Sequence, residues 1–415
     1  MKKLRKPVYA CAGYNTVSFG SGRREFHPKK PRPGLEHYIT EAGKGVIEQI
    51  NDANNIDEGI IGNFMAARFN KQGNLAAMIP MIHPSLEYKP CTRVEGACGS
   101  GGLSLYTAVK SVLSDVSDAV LSIGVEVQNT VKAIYGADIL AGAGHYLTER
   151  KEGHAYFFPA KFSDRAGACY EKFGYDGVRK GMAHWYANAI NNARKNPKAQ
   201  EYHNSFEDLV AVGMTPPNPK AFCQHINVFD CSKVSDGASA LIFASEEGLE
   251  KIGVDKKDAA EVVGWGQSQA DISKKPEDLT RLTTTRSAVK KAYEMSGIGP
   301  KDLGVLEVHD CFTIGGLLHL EATGVVGYGE AAGFVAEGKA AIDGEMPTNV
   351  TGGLVGFGHY TGGTGVRQAV DLVHQFTGKA GDCQVDVKSD RPYGMLISMG
   401  GNDRTVTCMV FKKTA

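Results

Sequence analysis

The sequence carries no excess of charge of either sign. Its 46 lysines and arginines balance 46 aspartates and glutamates, and its pI is about 7.2. A neutral chain lacks the overall field that collects nucleic acid or anionic membrane, so neither partner is expected. No run approaches the ~18 consecutive apolar residues of a membrane span, and the apolar stretch after basic residues 1–7 is short for a secretion signal. We therefore expect a cytoplasmic protein.

The sequence also lacks a disulfide framework and a nucleotide-binding motif. Its nine cysteines are an odd number without regular spacing, which favours free thiols in a reducing compartment. The closest metal-like group, Cys223, His225 and Cys231, has the spacing of no zinc ribbon or finger, so we predict no metal. The glycine-rich stretches 96–102 and 352–365 lack the Gly-Lys-Ser/Thr ending of a phosphate-binding loop.

What is present is an alternation of helix-like and strand-like segments. Apolar residues at helical spacing fall between 39 and 50, and a short strand pattern follows at 59–62. A second unit has a strand at 88–94, a glycine-rich turn, a helix with one apolar face, and a buried strand at 119–125. The alternation predicts an α/β architecture with Cys98 on a strand-to-helix turn.

The last third repeats this pattern after a loosely patterned middle. Residues 135–223 are rich in glycine, histidine and aromatic residues and end in a proline cluster, which is typical of an inserted loop region that shapes a substrate mouth. A helix, a buried strand and another glycine-rich loop before a helix then follow. We therefore predict an internal duplication, with an N-terminal half in residues 1–134 and 224–260, an inserted domain in 135–223 and a C-terminal half in 261–415.

Cys98 is the first candidate for chemistry. A free cysteine is far more often a small buried hydrophobe than a nucleophile. Here, however, glycines at 96, 99, 101 and 102 allow a ligand to approach the backbone closely. The start of a helix lowers the pKa of a thiol and offers amide groups to an oxyanion. This setting favours a nucleophile.

A thiolate nucleophile needs a base, and histidine is the usual one. Two of the twelve histidines stand out. His359 lies in a glycine-dense loop before a helix, and His309 directly follows a buried strand, where α/β proteins place groups that face a ligand. Both positions also suit a structural histidine, and the residues alone leave the two interpretations open.

Together these motifs resemble those of the thiolase family. Residues 94–101 (Val-Glu-Gly-Ala-Cys-Gly-Ser-Gly) resemble its nucleophile motif, and residues 358–365 resemble its Gly-His loop. Residues 232–238 look like the segment whose serine, Ser232 here, contacts the pantetheine arm of coenzyme A. The His-Asp-Cys-Phe run at 309–312 is similar to the form found in sterol-carrier-protein-2-like and archaeal thiolases.

The resemblance covers nearly the whole chain and implies a duplicated, five-layered αβαβα fold with an inserted loop domain. It also implies a ping-pong reaction in which Cys98 attacks a 3-oxoacyl-CoA, keeps the shortened acyl group and passes it to coenzyme A. Coenzyme A is then a substrate, and no cofactor is permanently bound. In this scheme His359 is the base, His309 stabilises the enolate oxygen, and the backbone amides of Cys98 and Gly400 bind the oxyanion.

One residue departs from the family pattern. Thiolases carry a second cysteine in a C-terminal Cys-x-Gly motif that moves the α-carbon proton, and the matching residue here is Ser398. A hydroxyl is many pKa units less acidic than a thiol, so Ser398 is a poor base on its own. The alternative carriers of the α-carbon proton are Cys311, Asp310, a water and a substrate carboxylate. There are two other interpretations. The substrate is an unusual 3-oxoacyl-CoA whose leaving enolate needs less stabilisation, or the chain is a non-catalytic thiolase-like subunit.

The resemblance also implies partners and a substrate class. Thiolases form dimers or dimers of dimers, and prokaryotic members of the His-Asp-x-Phe type often work with a small zinc-ribbon and OB-fold protein, expected here as a separate subunit. The sequence is similar to the thiolase-like subunits that cleave 2-benzoylsuccinyl-CoA to benzoyl-CoA and succinyl-CoA. A condensing enzyme of the same fold, like ketoacyl or hydroxymethylglutaryl-CoA synthases, is the alternative. The Gly358-His359 loop and the Ser232 segment favour a thiolase.

Overall fold

The computed structural model describes residues 4–150 and 154–414. Its strands are β1 (Tyr9–Asn15), β2 (Glu58–Gly62), β3 (Cys91–Val94), β4 (Ala119–Glu126), β5 (Gly237–Ala244), β6 (Ala259–Gln269), β7 (Leu303–Glu307), β8 (Tyr393–Gly400) and β9 (Thr405–Lys413). They form a nine-stranded sheet in the order β3-β2-β4-β5-β1-β6-β9-β8-β7.

Helices surround this sheet on its faces. They are α1 (Leu35–Ile47), α2 (Ala66–Phe69), α3 (Ser100–Leu113), α4 (Ala133–Leu140), α5 (Phe157–Phe173), α6 (Tyr175–Ala193), α7 (Leu209–Gly213), α8 (Glu246–Ile252), α9 (Thr283–Ser296), α10 (Thr313–Thr323), α11 (Ala331–Ala336), α12 (Gly353–Gly356) and α13 (Thr364–Thr377). The helices that the sequence patterns predict are present as α1, α3, α9 and α13.

The sheet consists of two halves with the same topology, as the sequence predicts. In the N-terminal half β2 is parallel to β3 and β4, and β5 is antiparallel to both β4 and β1. In the C-terminal half β7, β8, β9 and β6 take the places of β2, β4, β5 and β1 with the same directions. A single parallel bridge between Leu306 and Thr348 stands where a counterpart of β3 would pair. Strands β1 and β6 join the halves through three antiparallel residue pairs.

Side-chain alternation along the strands separates the layers. On β4, Leu121 packs with residues of α1, whereas the neighbouring Val120 packs with residues of α3 and α13. On β9, Cys408 packs with residues of α9 and α10, whereas Met409 packs with α3 and α13. Because α3 and α13 contact strands of both halves, they form a central helical layer. The layers are therefore outer helices, the N-terminal half of the sheet, the central helices, the C-terminal half of the sheet, and outer helices again. This order confirms the predicted five-layered fold.

The structure shortens one predicted strand. The strand expected at 88–94 begins only at Cys91. Tyr88 is fully exposed and has a φ of 64°, a left-handed conformation that cannot continue an extended strand.

The segment between β4 and β5, residues 127–236, contains α4 to α7. The inserted domain predicted at 135–223 falls within it, and its limits stay a prediction. No helix of the described residues has the length and apolar character needed to cross a membrane. Residues 1–3, part of the basic stretch weighed as a secretion signal, lie outside the described residues.

Candidate active site

Cys98 lies on a tight turn between β3 and α3. Ala97, directly before it, has a φ of 54°, a conformation that costs energy for any residue with a side chain. The Gly99 N–H closes the turn by donating to the Gly96 carbonyl at 3.0 Å. The Ser100 hydroxyl donates to the Ala97 carbonyl at 2.6 Å and accepts from the Gly96 N–H at 3.0 Å. These bonds hold Cys98 at the start of α3.

The Cys98 thiol is buried and neutral at rest. It is 9% exposed, and burial, with a smaller contribution from the Glu126 carboxylate, raises the pKa of the thiol to about 12. The sequence predicts instead that the helix start lowers this pKa. That prediction is wrong for the resting site, because the cost of desolvating a thiolate outweighs the helix dipole. A neutral thiol attacks a carbonyl only when a base within reach takes its proton.

His359 is held on three sides. Its backbone N–H donates to the Ser235 hydroxyl at 2.8 Å, and its carbonyl accepts from the Gln128 side-chain amide at 2.7 Å. Its ring Nδ1 lies 2.8 Å from the hydroxyl of Thr364, the first residue of α13. The same hydroxyl lies 3.2 Å from the Tyr360 carbonyl. When Thr364 donates to that carbonyl it accepts from Nδ1–H, which leaves Nε2 as the basic nitrogen.

His309 completes a group with Cys98 and His359. It follows β7, is 1% exposed, and its ring stands 5.1 Å from the His359 ring at an interplanar angle of 86°. The Cys98 sulfur and one ring nitrogen of each histidine all lie within 4.8 Å of one another. Burial, then Arg367, lowers the pKa of His359 to about 3, and burial, then His359, lowers the pKa of His309 well below its ordinary value. Both rings are therefore neutral.

The two residues that follow His309 face different ways. Cys311 lines the same pocket as Cys98, and burial, then Cys98 itself, raises the pKa of its thiol well above the ordinary value. Asp310 does not line that pocket. Its carboxylate accepts from the Trp185 indole N–H at 2.9 Å and from a backbone N–H at 2.7 Å, and burial raises its pKa to about 6. The fold thus brings Cys311 to the site and uses Asp310 to tie α6 to the end of β7.

Ser398 lies on the opposite face of its strand from the pocket. It is fully buried on β8, and a methyl group built on Gly102 of α3 or on Gly365 of α13 would lie 2.8 or 2.7 Å from its hydroxyl oxygen. That oxygen has no hydrogen-bond partner among the described residues. The next residue, Met399, lines the pocket instead, since neighbouring side chains on a strand point to opposite faces.

Gly400 and Ser232 both lie beside the group. A methyl group built on Gly400, at the end of β8, would lie 2.8 Å from the backbone nitrogen of Gly99, so the strand end packs directly on the turn that carries Cys98. Ser232 lines the pocket, and its N–H donates to the Cys311 carbonyl at 2.9 Å. Oxyanion binding by Gly400 and pantetheine contact by Ser232 stay predictions.

The sequence patterns did not reveal Glu126, a fully buried carboxylate at the end of β4. It accepts from the backbone amides of residues 64 and 65 at 2.9 and 3.1 Å. It also accepts from the Thr361 hydroxyl at 3.0 Å and the Gly362 N–H at 3.1 Å, in the loop before α13. Glu126 thus ties that loop to the half of the molecule that carries Cys98. A charged residue at the end of an apolar strand is the sequence feature that could have indicated Glu126.

The pocket above these residues has largely apolar walls. Helices α4 and α5 and the loops beside them contribute to it, and its aromatic side chains are Phe69, Tyr156, Phe158, Phe162 and Phe312. The rings of Phe162 and Phe312 stack with their centres 4.3 Å apart. Lys233 lines the same pocket and supplies a cation. The walls suit a bulky apolar group.

Comparison with known proteins gives two family matches. Residues 35–214 match the thiolase N-terminal domain, and residues 264–413 match the thiolase C-terminal domain-like family. The acetyl-CoA acetyltransferase of Methanothermobacter thermautotrophicus is 33% identical over 379 residues, which cover 90% of this chain and 94% of the relative. The benzoylsuccinyl-CoA thiolase subunit BbsB of Thauera aromatica is 27% identical over 300 residues, 72% of this chain and 73% of the relative.

Solved structures share the fold. A structure described as an Ltp2-ChsH2(DUF35) aldolase matches with a TM-score of 0.78 at 18% identity, covering 99% of this chain and 98% of that chain. Human mitochondrial 3-ketoacyl-CoA thiolase matches with a TM-score of 0.70 at 16% identity, covering 99% of this chain and 100% of that chain. At such identities the likeness concerns the fold alone.

Proposed function

Because the chain belongs to the thiolase family and is an acyl-CoA acyltransferase, we propose that Cys98 carries the acyl group between two coenzyme A thioesters. The observation that carries this proposal is the convergence of the Cys98 sulfur with ring nitrogens of His309 and His359 within 4.8 Å at one pocket. A coenzyme A thioester is the acyl donor and free coenzyme A is the acceptor, and the cycle needs no permanently bound cofactor.

In the cleavage direction, Cys98 passes its proton to His359, and its sulfur attacks the 3-carbonyl carbon of a 3-oxoacyl-CoA. The thiolate and the imidazolium form together, so their attraction in the buried site offsets the cost of burying each charge. The backbone amides of Cys98 and Gly400 donate to the oxyanion. The bond between the α and β carbons then breaks, which leaves the acyl group on sulfur and an acyl-CoA enolate.

The enolate then takes up a proton and leaves. His309, together with His359, donates a hydrogen bond to the enolate oxygen. Cys311 rather than Ser398 protonates the α carbon, because the Cys311 thiol lines the pocket and burial keeps it protonated, whereas Ser398 faces the central helices. His359 then returns the proton it took from Cys98 to the Cys311 thiolate and becomes neutral again. It next removes the proton from the thiol of coenzyme A, which attacks the thioester, and the leaving Cys98 thiolate takes that proton back from His359.

Acyl trapping tests this proposal. The purified protein is mixed with acetoacetyl-CoA or a larger 3-oxoacyl-CoA, and the adduct is located by intact-mass and peptide mass spectrometry. We expect one acyl group on Cys98 and none on the Cys98→Ser variant. Cys231→Ser is the matched control, since Cys231 lines the same pocket and has no role in the scheme. A protein that forms no adduct with any 3-oxoacyl-CoA, or one modified at another cysteine, contradicts the proposal.

We further propose that the substrate carries an aromatic acyl group, as in the cleavage of 2-benzoylsuccinyl-CoA to benzoyl-CoA and succinyl-CoA. Support comes from the aromatic pocket walls, from Lys233, which can pair with the substrate carboxylate, and from the similarity to the Thauera aromatica subunit. We expect a higher kcat/KM for 2-benzoylsuccinyl-CoA than for acetoacetyl-CoA. The reverse preference would agree with the acetyl-CoA acetyltransferase of Methanothermobacter thermautotrophicus and refute the aromatic assignment.

We also propose a homodimer core with a separate zinc-ribbon and OB-fold subunit. The sheet ends at β3, whose outer edge has no strand beside it in the described chain and is open to pairing with a second copy. The Thauera aromatica relative is named a subunit, and one structure of the same fold is described with a DUF35 component. Light scattering of the chain alone and after co-expression with its genomic neighbours tests both points, and a monomer in each sample contradicts them.

A further inference from the structure

The side chains of the proposed catalytic group are also a set of metal ligands. A thiolate sulfur and two imidazole nitrogens are the donors that zinc prefers. Within residues 4–150 and 154–414, Cys98, His309 and His359 are the one group of three His, Cys, Asp or Glu side chains placed closely enough to hold an ion. The residues Cys223, His225 and Cys231, which the sequence places near one another, form no such group. No sequence motif marks this group, because its three residues lie far apart along the chain.

The distances among the three side chains fit tetrahedral coordination of one ion after small side-chain rotations. Two imidazoles bound to one zinc at about 2.0–2.1 Å have ring centres roughly 5 Å apart, and the rings of His309 and His359 stand 5.1 Å apart. Ligand atoms around such an ion lie about 3.3–3.8 Å from one another, whereas the three atoms here lie within 4.8 Å. A closure of about 1 Å is within reach of rotation about the side-chain bonds.

The surroundings of the two histidines also suit an ion. The Nδ1 of His359 is occupied by the Thr364 hydroxyl at 2.8 Å, which orients the ring and leaves Nε2 free, as in most protein zinc sites. His309 lines the pocket, is 1% exposed, and its Nδ1 has no hydrogen-bond partner in the described part of the chain. A buried imidazole nitrogen without a partner is a costly feature, and an ion bound to that nitrogen would supply the partner.

We propose that Cys98, His309 and His359 form a reversible, inhibitory binding site for Zn²⁺. The ion takes one ring nitrogen from each histidine and the Cys98 sulfur, which gives up its proton to solvent on binding, and a water fills the fourth position. In that state the sulfur cannot attack a carbonyl and His359 cannot accept a proton. The inhibitory consequence rests on the proposed function, whereas the binding itself does not.

Cobalt titration of the metal-free protein tests the binding without any substrate. We expect Co²⁺ to give a thiolate-to-cobalt charge-transfer band in the near ultraviolet and visible d–d bands of tetrahedral intensity. Cys98→Ala should remove the charge-transfer band, and His309→Ala should weaken binding at least about tenfold. Cys231→Ser is the matched control and should change neither. Circular dichroism of each variant establishes that it is folded.

A second measurement needs no variant. Zn²⁺ should protect Cys98 of the wild-type protein from iodoacetamide, as read by peptide mapping, and EDTA should restore both alkylation and acyl transfer. An unchanged cobalt spectrum in Cys98→Ala, or alkylation of Cys98 at an equal rate with and without Zn²⁺, overturns the proposal. A protein that binds Co²⁺ at these residues but forms no acyl adduct supports the metal site and contradicts the acyl-transfer mechanism, so the two failures are distinguishable.

Discussion

Replacing Cys311 by serine should stop proton transfer at the α carbon while leaving acylation of Cys98 intact. Cys311 is 7% exposed in the wall of the pocket, so bulk water has little access to take its place. A positioned general acid or base contributes about 10²–10⁴-fold to a rate, which equals about 3–5.5 kcal/mol of activation free energy. We therefore expect exchange of the α-protons of acetyl-CoA with deuterated water to fall by that factor in Cys311→Ser.

The matched control for this experiment is Ser398→Ala. Because Ser398 faces Gly102 and Gly365 in the central helices, its exchange rate should stay within about threefold of wild type. Isotope exchange is followed by mass spectrometry of acetyl-CoA, and acylation of Cys98 by intact mass of the protein. Wild-type exchange in Cys311→Ser, or an equal loss in Ser398→Ala, would refute the assignment of the proton carrier.

Three further outcomes are expected. Thr364→Val removes the 2.8 Å contact to the His359 ring and should slow single-turnover acylation of Cys98 about 10–100-fold, whereas Thr364→Ser should retain the rate. Equal acylation rates in the two variants contradict the positioning role of Thr364. Since burial raises the pKa of Cys98 to about 12, the rate of its alkylation by iodoacetamide should rise about tenfold per pH unit over roughly pH 6–10. A rate that levels off near neutral pH would show an activated thiolate instead. Gly365→Ala places a methyl group within 2.7 Å of backbone atoms of both Gly101 and Gly102 in α3, so it should lower the free energy of unfolding in urea by at least about 2 kcal/mol. Gly73→Ala, in open space, is the control, and equal losses contradict the close packing of the central helices.

Much of the fold is predictable from the sequence because its signals are local. Continuous apolar runs mark the buried strands, and a period of about 3.6 residues marks the helices. These signals predicted β4 within one residue of its observed limits and predicted helices where α1, α3 and α13 lie. Strand β3 is the exception, since nothing in the apolar pattern indicates that Tyr88 adopts a left-handed conformation. The duplication is visible as a repeated pattern, but the equivalence of the two sheet halves appears only when the strands are paired.

The sequence by itself determined that Cys98 starts a helix after a glycine-rich turn, and that His309 and His359 occupy strand-end and loop positions. Only the tertiary structure decided which side chains meet. The strand alternation of β8 turns Ser398 away from the pocket, the end of β7 turns Cys311 toward it, and Glu126 ties the loop of His359 to the other half. Burial, which depends on the whole fold, reverses the expected direction of the Cys98 pKa shift, because desolvation outweighs the local helix dipole.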